Sequence, residues 1–466
     1  MAEKIAHWIE CGILKPGERV PSLREIGRQE KLSVTTALEA YAFLENQGYI
    51  EARPQSGYYV QVREASLPPE PEVSSPPKRQ TRVSVGSLVA TVLRSSLDAK
   101  VVPLGAAFPS SELLATRKLN CLLVEELRHE NRPQRYSYPP GEYELRRQIV
   151  RHALDWGARF KPDEVLITCG ATQAIDLCLR AVTRPGDLVA VESPCYFGTL
   201  LQLEALGLSV LEIPSHPREG ICLDALDEAL RKHPVRACIA SPNFSNPMGS
   251  AMRDTAKREF VALLAHKKIP LIEDDLYGDL NHAGERPKPA QFFDHHGLVM
   301  LCGSFSKTLA PGYRLGWCVP GRFRERVEQL QMASTLALPK ASQQAVAAYL
   351  KCGAYDRQLR AMRSIFALQS AQMIAAIGRY FPDGSKATRP AGGFLLWVEL
   401  PRSIDAVQLC EKALNQGISI SPGPMFSARL YYRNYIRINC GSSWSPRIER
   451  AIRQVGDLTR GLMVGS

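Results

Sequence analysis

Ser304-Phe305-Ser306-Lys307, continued by Gly312-Tyr313-Arg314-Leu315-Gly316-Trp317, sets one lysine among hydroxyls and an arginine directly after an apolar run. A lysine amine can condense with a carbonyl, while hydroxyls, backbone N–H groups and a guanidinium hold a phosphate dianion. Together they suit a phosphorylated aldehyde. Any Ser-x-Ser-Lys alone reads better as a surface lysine in a Ser/Gly loop, so the decision rests on what stands upstream.

Four upstream segments supply the remaining parts. Val165-Leu166-Ile167-Thr168 reads as a short buried strand, and Gly170-Ala171-Thr172-Gln173 opens an apolar helix whose exposed N–H groups form an anion site. No Gly-Lys-Ser/Thr follows, which excludes a nucleoside triphosphate loop. Ser193-Pro194-Cys195-Tyr196 follows the apolar run Leu188 to Val191 and offers a ring to stack on a flat pyridine; alone, it reads as a core tyrosine. The turn Ser241-Pro242-Asn243-Phe244-Ser245-Asn246-Pro247-Met248-Gly249 offers an asparagine amide to a phenolic oxygen, although Asn-Pro turns are common. Leu271-Ile272-Glu273-Asp274-Asp275-Leu276-Tyr277 is a strand ending in carboxylates, and an aspartate against a pyridine nitrogen keeps it protonated. Pyridoxal 5'-phosphate is the cofactor that fits.

In this order, each at the end of an expected strand, the segments resemble the fold-type I aminotransferases, in particular the aspartate and kynurenine aminotransferase branch. The resemblance runs from about Val101 to the C-terminus. It implies that Lys307 forms the Schiff base, Asp274 faces the ring nitrogen, Tyr277 and Asn246 bond the ring hydroxyl, and Tyr196 stacks on the ring. It gives the phosphate to Ala171, Thr172, Ser304, Ser306 and Arg314. In Tyr435-Ile436-Arg437-Ile438-Asn439 it makes Arg437 the bidentate clamp for a substrate carboxylate. Relatives build each site at a dimer interface, and Tyr136, five residues before Gly141, matches the tyrosine they send to the partner's phosphate. Two departures stand out: Met248 where threonine is usual, and Ala171, which must rely on its backbone N–H.

A second module precedes this one. Pro21-Ser22-Leu23-Arg24-Glu25 is a helix start with Ser22 as N-cap and Glu25 closing a capping box. A second start at Ser33-Val34-Thr35-Thr36 leads a helix expected to bury Ala37, Leu38, Tyr41 and Leu44 and to end at Gly48. Two short helices joined by a tight turn predict helix-turn-helix, and Tyr49 to Arg53 with Tyr58 to Val62, around Pro54-Gln55-Ser56-Gly57, predict a two-stranded wing. The stretch from Gly12 to Val60 is similar to the winged helix of GntR regulators, which makes Arg24, Ser33, Thr35, Thr36 and Gly57 the expected DNA contacts. Val34 stands where relatives commonly carry arginine. Met1 to Ile5 matches the middle of that family's first helix, so either the start codon is assigned too far downstream or the helix is short by a turn or more.

A GntR-type winged helix fused to an aminotransferase-like domain resembles the MocR regulators. The expected division is a winged-helix domain over 1–63, a linker over 64–87 and a cofactor-binding domain over 88–466, with its large lobe ending near 341 and a smaller α+β lobe over 342–466. Pro68, Pro69, Pro71, Pro76 and Pro77 with interspersed Ser and Glu cannot build a core and predict a semi-rigid extended tether. Apolar runs at Val165, Leu188, Ala237, Leu271, Val299 and Leu315 alternating with helical patterns predict an α/β domain, a mainly parallel sheet with helices on both faces.

The composition, 466 residues of which 45% are hydrophobic, is that of a soluble globular protein with room for both modules. The net charge of +11 does not itself point to DNA, because residues 1–63 hold 8 Lys plus Arg against 8 Asp plus Glu. Arg19, Arg24, Arg28 and Lys31 either share one face or form a solvated surface. The 12 cysteines include no Cys-x-x-Cys, so neither a metal site nor a disulfide framework is expected. No signal peptide or bilayer-spanning run is read, and the expected location is the cytoplasm, without membrane partners. The expectation is therefore a homodimeric transcriptional regulator that binds double-stranded DNA and senses pyridoxal phosphate, or an amino compound condensed with it as an external aldimine. Transamination, if any, is expected to be slow. The alternative is a working aminotransferase with an appended DNA-binding module.

Overall fold

The computed structural model describes residues 1–10, 13–14, 17–30, 33–46, 49–53, 56–61, 67–83, 86, 89–90, 100–128 and 136–464. These divide into two compact units, Met1–Pro68 with Gln372–Tyr380, and Pro69–Ala371 with Phe381–Ser466.

In the first unit, α1 (Ala2–Glu10), α2 (Leu23–Glu30) and α3 (Val34–Asn46) precede an antiparallel pair, β1 (Ile50–Arg53) and β2 (Gly57–Val60). The capping box forms as read: Ser22 N donates to Glu25 Oε2 at 2.8 Å, and Glu25 N to Ser22 Oγ at 3.3 Å. Thr36 N donates to Ser33 Oγ at 3.1 Å, which makes Ser33 the cap of α3. Ile5, Val20, Ile26, Ala37, Tyr41, Leu44, Ile50 and Val60 build one small core. Leu38, expected in that core, is 47% exposed. Ala37, Tyr41 and Leu44 already cover the inward face, and at 100° per residue Leu38 is turned away from it. Gly48 and the wing residues Pro54 and Gln55 lie outside the described residues.

The second unit is built on a nine-stranded sheet: β3 (Thr81–Arg82), β5 (Leu166–Thr168), β6 (Leu188–Ser193), β7 (Ser209–His216), β8 (Gly220–Ile221), β9 (Val235–Ala240), β10 (Leu271–Asp274), β11 (Val299–Ser304) and β12 (Gly316–Val319). Its order is β3-β7-β6-β9-β10-β11-β12-β5, with β8 beside β7. The run from β7 to β11 is parallel, while β3, β8, β12 and β5 join antiparallel. Alternation along β6 sends Val189 and Val191 to a core shared with Ile175 and Leu179, and Leu188 and Ala190 to one shared with Phe260 and Leu264. Helices therefore cover both faces. Preceding these, α4 (Thr116–Arg128) and α5 (Tyr143–Ala153) lead to α6 (Gly170–Val182), which starts directly after β5. β4 (Val102–Pro103) pairs with β15 (Ile418–Ser419), and β13 (Lys386–Ala387), β14 (Leu395–Glu399), β17 (Tyr435–Asn439) and β16 (Ser421–Pro422) form a separate antiparallel sheet in that order.

The tether expected over 64–87 is not free along its length. From Pro69 it belongs to the second unit and is strapped down. Glu70 pairs with Arg218 and accepts from Arg389 N at 3.2 Å, Ser74 Oγ donates to Ser193 O at 2.5 Å, and Lys78 meets Glu228 at 3.0 Å. Thr81–Arg82 then pairs with Val210 and Ser209 of β7. Proline hinders a core but presets an extended backbone, and that backbone covers a sheet edge that would otherwise present unpaired groups.

Candidate functional site

The site forms where the parallel strands end. Asp274 closes β10, Ser304 closes β11, and the turn after Ser304 carries Ser306 and Lys307. A cavity of about 160 Å³ there is lined by Ala171, Thr172, Tyr196, Asn246, Asp274, Tyr277, Ser304, Ser306, Lys307 and Arg314. Every residue assigned by resemblance to the lysine, ring and phosphate roles within one chain thus borders one space.

Lys307 stands half-buried in the cavity wall, and its Nζ donates to Ala107 O. Desolvation of the amine, with Arg437 and Arg314 nearby, lowers it to about 8 against the pull of Asp274. Among three successive carboxylates, strand alternation decides which faces the cavity. Glu273 is buried on the other side, accepting from Ala290 N at 2.6 Å and Gln291 N at 2.9 Å. Asp275 accepts from Asn243 Nδ2 at 2.8 Å and pairs with Arg286, which also reaches Asp279 at 2.6 Å. Asp274 is left with Oδ1 buried and unpartnered, its carboxyl raised to about 7 by burial and by Asp275.

Tyr277 OH is likewise buried without a partner. The Asn246 side chain lies near enough to bear on its acidity, yet outside hydrogen-bond geometry. Tyr196 is wedged beside Gly198, where a Cβ would come within 2.4 Å of the ring. At the other end of the cavity, the first turn of α6 supplies the Ala171 and Thr172 N–H groups. A Cβ on Gly170, whose φ is +78°, would meet Arg314 Nη2 at 2.9 Å, and one on Gly316 would meet the Gly170 backbone at 2.5 Å. Gly316 is therefore dictated by close approach of backbone, and Gly170 by its left-handed φ. Ser304 Oγ lies 3.0 Å from Ser306 Oγ and 3.0 Å from Leu315 O.

Arg437, on β17 opposite Trp397 and Ser421, is 1% exposed. Its Nη1 donates to Asn246 Oδ1 at 2.9 Å and its Nη2 to Gly105 O at 2.6 Å, while Nε has no partner. Burial lowers it to about 10, so it stays cationic at neutral pH. Three orphaned buried polar atoms, on Asp274, Tyr277 and Arg437, make this a place that asks for a polar ligand. A ring nitrogen, a phenolic oxygen and a carboxylate are the matching partners, so the residues fit pyridoxal 5'-phosphate carrying an amino acid.

Tyr136 is not at the cavity. It is 69% exposed, its ring 5.6 Å from that of Tyr138. The sequence reading missed Ala107, Ile175, Gly198, Thr199, Gln202 and Leu276, which also line the space. Gln202 Nε2 donates to Thr172 O at 2.5 Å, and its spacing from Gly198 and Thr199 on one helix was the available signal. A larger, open depression of about 840 Å³ runs along α4 from Ser111 to Arg128, away from this chemistry. No metal site was expected; His152, Asp155 and Asp356 nonetheless bring ligand atoms within 4.8 Å of one another, and His152 also bonds Asp279 at 3.1 Å.

In the first unit, Arg24 and Thr35 are exposed on α2 and α3. The hydroxyls of Ser33 and Thr36 are spent on each other at 2.8 Å. Gly57, with φ of +105°, turns the wing beneath the Arg19 guanidinium, and Arg53 covers the Tyr59 ring at 4.3 Å.

Comparison with known proteins finds two family matches in the chain. The family described as aminotransferase class I and II matches residues 101–455, and that of bacterial regulatory proteins, gntR family, matches residues 1–60. The chain is 39% identical over 459 residues to YdcR of Escherichia coli (strain K12), called an uncharacterized HTH-type transcriptional regulator, covering 98% of each. It is 37% identical over 458 residues to YjiR of the same organism, of the same description, covering 98% of this chain and 97% of the relative. Among solved structures, a multiple substrate aminotransferase from Thermococcus profundus superposes with a TM-score of 0.76 at 25% identity, over 82% of this chain and 96% of that one. LysN, the alpha-aminoadipate aminotransferase of Thermus thermophilus complexed with N-(5'-phosphopyridoxyl)-L-leucine, gives 0.74 at 27% identity, over 81% and 95%.

Proposed function

Because the chain belongs to the class I and II aminotransferase family and carries a gntR-family domain ahead of it, we propose that it is a transcriptional regulator whose aminotransferase-like domain senses an amino compound. The observation that carries this is the coexistence, in one chain, of a winged helix with a site whose buried polar atoms await a ligand. The cofactor is pyridoxal 5'-phosphate. When bound, it supplies an aldehyde that condenses with amines and a ring that withdraws electrons.

The chain's own residues divide the work. Lys307, its amine near 8, holds a useful neutral fraction at physiological pH and so can attack or be displaced. Asp274 sets a carboxylate against the ring nitrogen, Tyr277 and Asn246 serve the ring oxygen, and Tyr196 covers one ring face. The α6 N–H groups of Ala171 and Thr172, with Ser304, Ser306 and Arg314, hold the phosphate. Arg437 grips the carboxylate of an incoming amino acid. Tyr136, exposed in one chain, completes the phosphate site of a second copy in a homodimer, and the protein works in the cytoplasm as one of the MocR regulators.

Arg24, Thr35 and Gly57 face the duplex, with Ser33 and Thr36 shaping the start of the groove-entering helix. The test is binding of the full-length protein to the DNA upstream of its own gene, with affinity falling as salt rises because phosphate contacts release counterions. The second reading, a working aminotransferase, is favoured by the complete set of site residues around Lys307. Efficient turnover of a common amino acid, with no preference for any DNA over competitor, would establish that reading instead.

A further inference from the structure

On α3 the residues at i, i+4 and i+8, Val34, Leu38 and Ala42, are all exposed, with Thr35 beside them. Val34 is 54% and Leu38 47% exposed, large aliphatic side chains set in water beside the stripe of α3 that fills the core. Residues 34–46 contain no lysine, arginine or histidine, and Glu39 is the one charge in the first two turns. Basic side chains stand around the helix: Arg24 and Arg28 are exposed on α2, and Arg19 and Arg53 lie at the wing.

This separates two tasks that recognition helices usually combine. Flanking arginines suit phosphates, which give position and affinity without sequence information. A face of methyl groups suits one feature of the major groove, the 5-methyl of thymine, the base-edge group that rewards aliphatic contact. Guanine and cytosine present polar edges there, and pressing Val34 and Leu38 against them would strip water from donors and acceptors without replacing it. With the hydroxyls of Ser33 and Thr36 engaged with each other, the hydrogen-bonding groups left in the first turn are few.

We propose that the Val34–Leu38 face of α3 reads thymine methyl groups, so that the protein selects A·T pairs in the major groove by apolar contact. The inference rests on the DNA-reading role proposed above and names the base chemistry of that same surface. Each methyl buried is worth about as much as a buried methylene, ~0.8 kcal/mol, or roughly fourfold in affinity.

The experiment selects duplexes from a random library with the full-length, cofactor-loaded protein, then resynthesises the enriched sequence with deoxyuridine replacing thymidine one position at a time. Enrichment of thymine at two or more neighbouring positions, and a loss of about fourfold at each deoxyuridine, are expected. Val34→Ser and Leu38→Ser, both at exposed positions that leave the core intact, should erase that sensitivity while retaining salt-dependent binding. Val34→Arg should shift the preference at its contact toward guanine, whose O6 and N7 a guanidinium bonds. Enrichment of a sequence indifferent to deoxyuridine would overturn the inference and leave the DNA-reading role standing. Undiminished sensitivity in both serine variants would equally overturn it, since the methyls would then be read from elsewhere. No enrichment at all would overturn the DNA-reading role itself and this inference with it.

Discussion

Arg286 grips Asp275, the residue directly after the aspartate whose Oδ1 faces the cofactor cavity unpartnered, and carries the link on to Asp279. Burial and the Asp275 charge set the state of Asp274, so a pairing outside the cavity tunes a group inside it. Arg286→Met would leave the buried Asp275 carboxylate without its cation and Asp279 with His152 alone. A loss of about 3–5 kcal/mol in urea unfolding is expected, the usual cost of breaking a buried pair from one side. Loss below about 1 kcal/mol would mean that the network contributes little.

The purified protein should be yellow, and borohydride should fix the cofactor to Lys307. Lys307→Ala should abolish the fixed adduct while leaving the phosphate ligands in place. Labelling of a different lysine in a peptide digest would show the assignment to be wrong.

In the cofactor-free protein the same lysine is a liability. Its folded value lies near 8, below the ordinary 10.5, so the unfolded chain binds more protons between those limits and stability rises with pH across them. Below pH 8 the full penalty is present. Lys307→Met should therefore stabilise the cofactor-free protein at about pH 7 by something on the order of 3 kcal/mol, with the advantage vanishing by about pH 11. Urea titrations at both pH values measure the difference. An equal gain at both would point to packing instead of charge.

Arg437→Gln should leave cofactor absorbance intact while weakening the spectral response to amino acids by roughly 10- to 100-fold, the scale of one lost charge-assisted bond. Parallel titration with an amine lacking a carboxylate should show no change. Equal loss for both ligands would make Arg437 a structural residue that holds Asn246.

The exposed Tyr136 predicts a dimer under sedimentation, with Tyr136→Phe modestly weakening cofactor retention. A fully loaded monomer at working concentrations would remove the basis for that role.

Much of the catalytic-type site was legible because its residues cluster in short motifs where strands end, as Asp274 ends β10 and Ser304 ends β11. Two of the residues that escaped contribute through the backbone or through a missing side chain: Ala107 offers its carbonyl to Lys307, and Gly198 offers room for Tyr196. Strand β7 escaped because Glu212 and Pro214 interrupt its apolar run. Glu212 is nonetheless buried, accepting from Ser193 at 2.9 Å and Ser427 at 3.1 Å. Leu38 was misplaced because a hydrophobic residue beside a core stripe looks like part of it. The strap escaped because its anchors are single polar residues meeting partners far along the chain, as Glu70 meets Arg218.

That strap withholds chain from the linker. While Glu70, Ser74 and Lys78 keep their partners, residues 69–82 add nothing to its reach; freed, they would add up to about 46 Å at full extension. Local concentration of a tethered group falls roughly as the −3/2 power of tether length, so release would dilute the DNA reader around its site. The reach of that reader is thus written less in the prolines than in Glu70, Ser74 and Lys78, the side chains that hold the segment down.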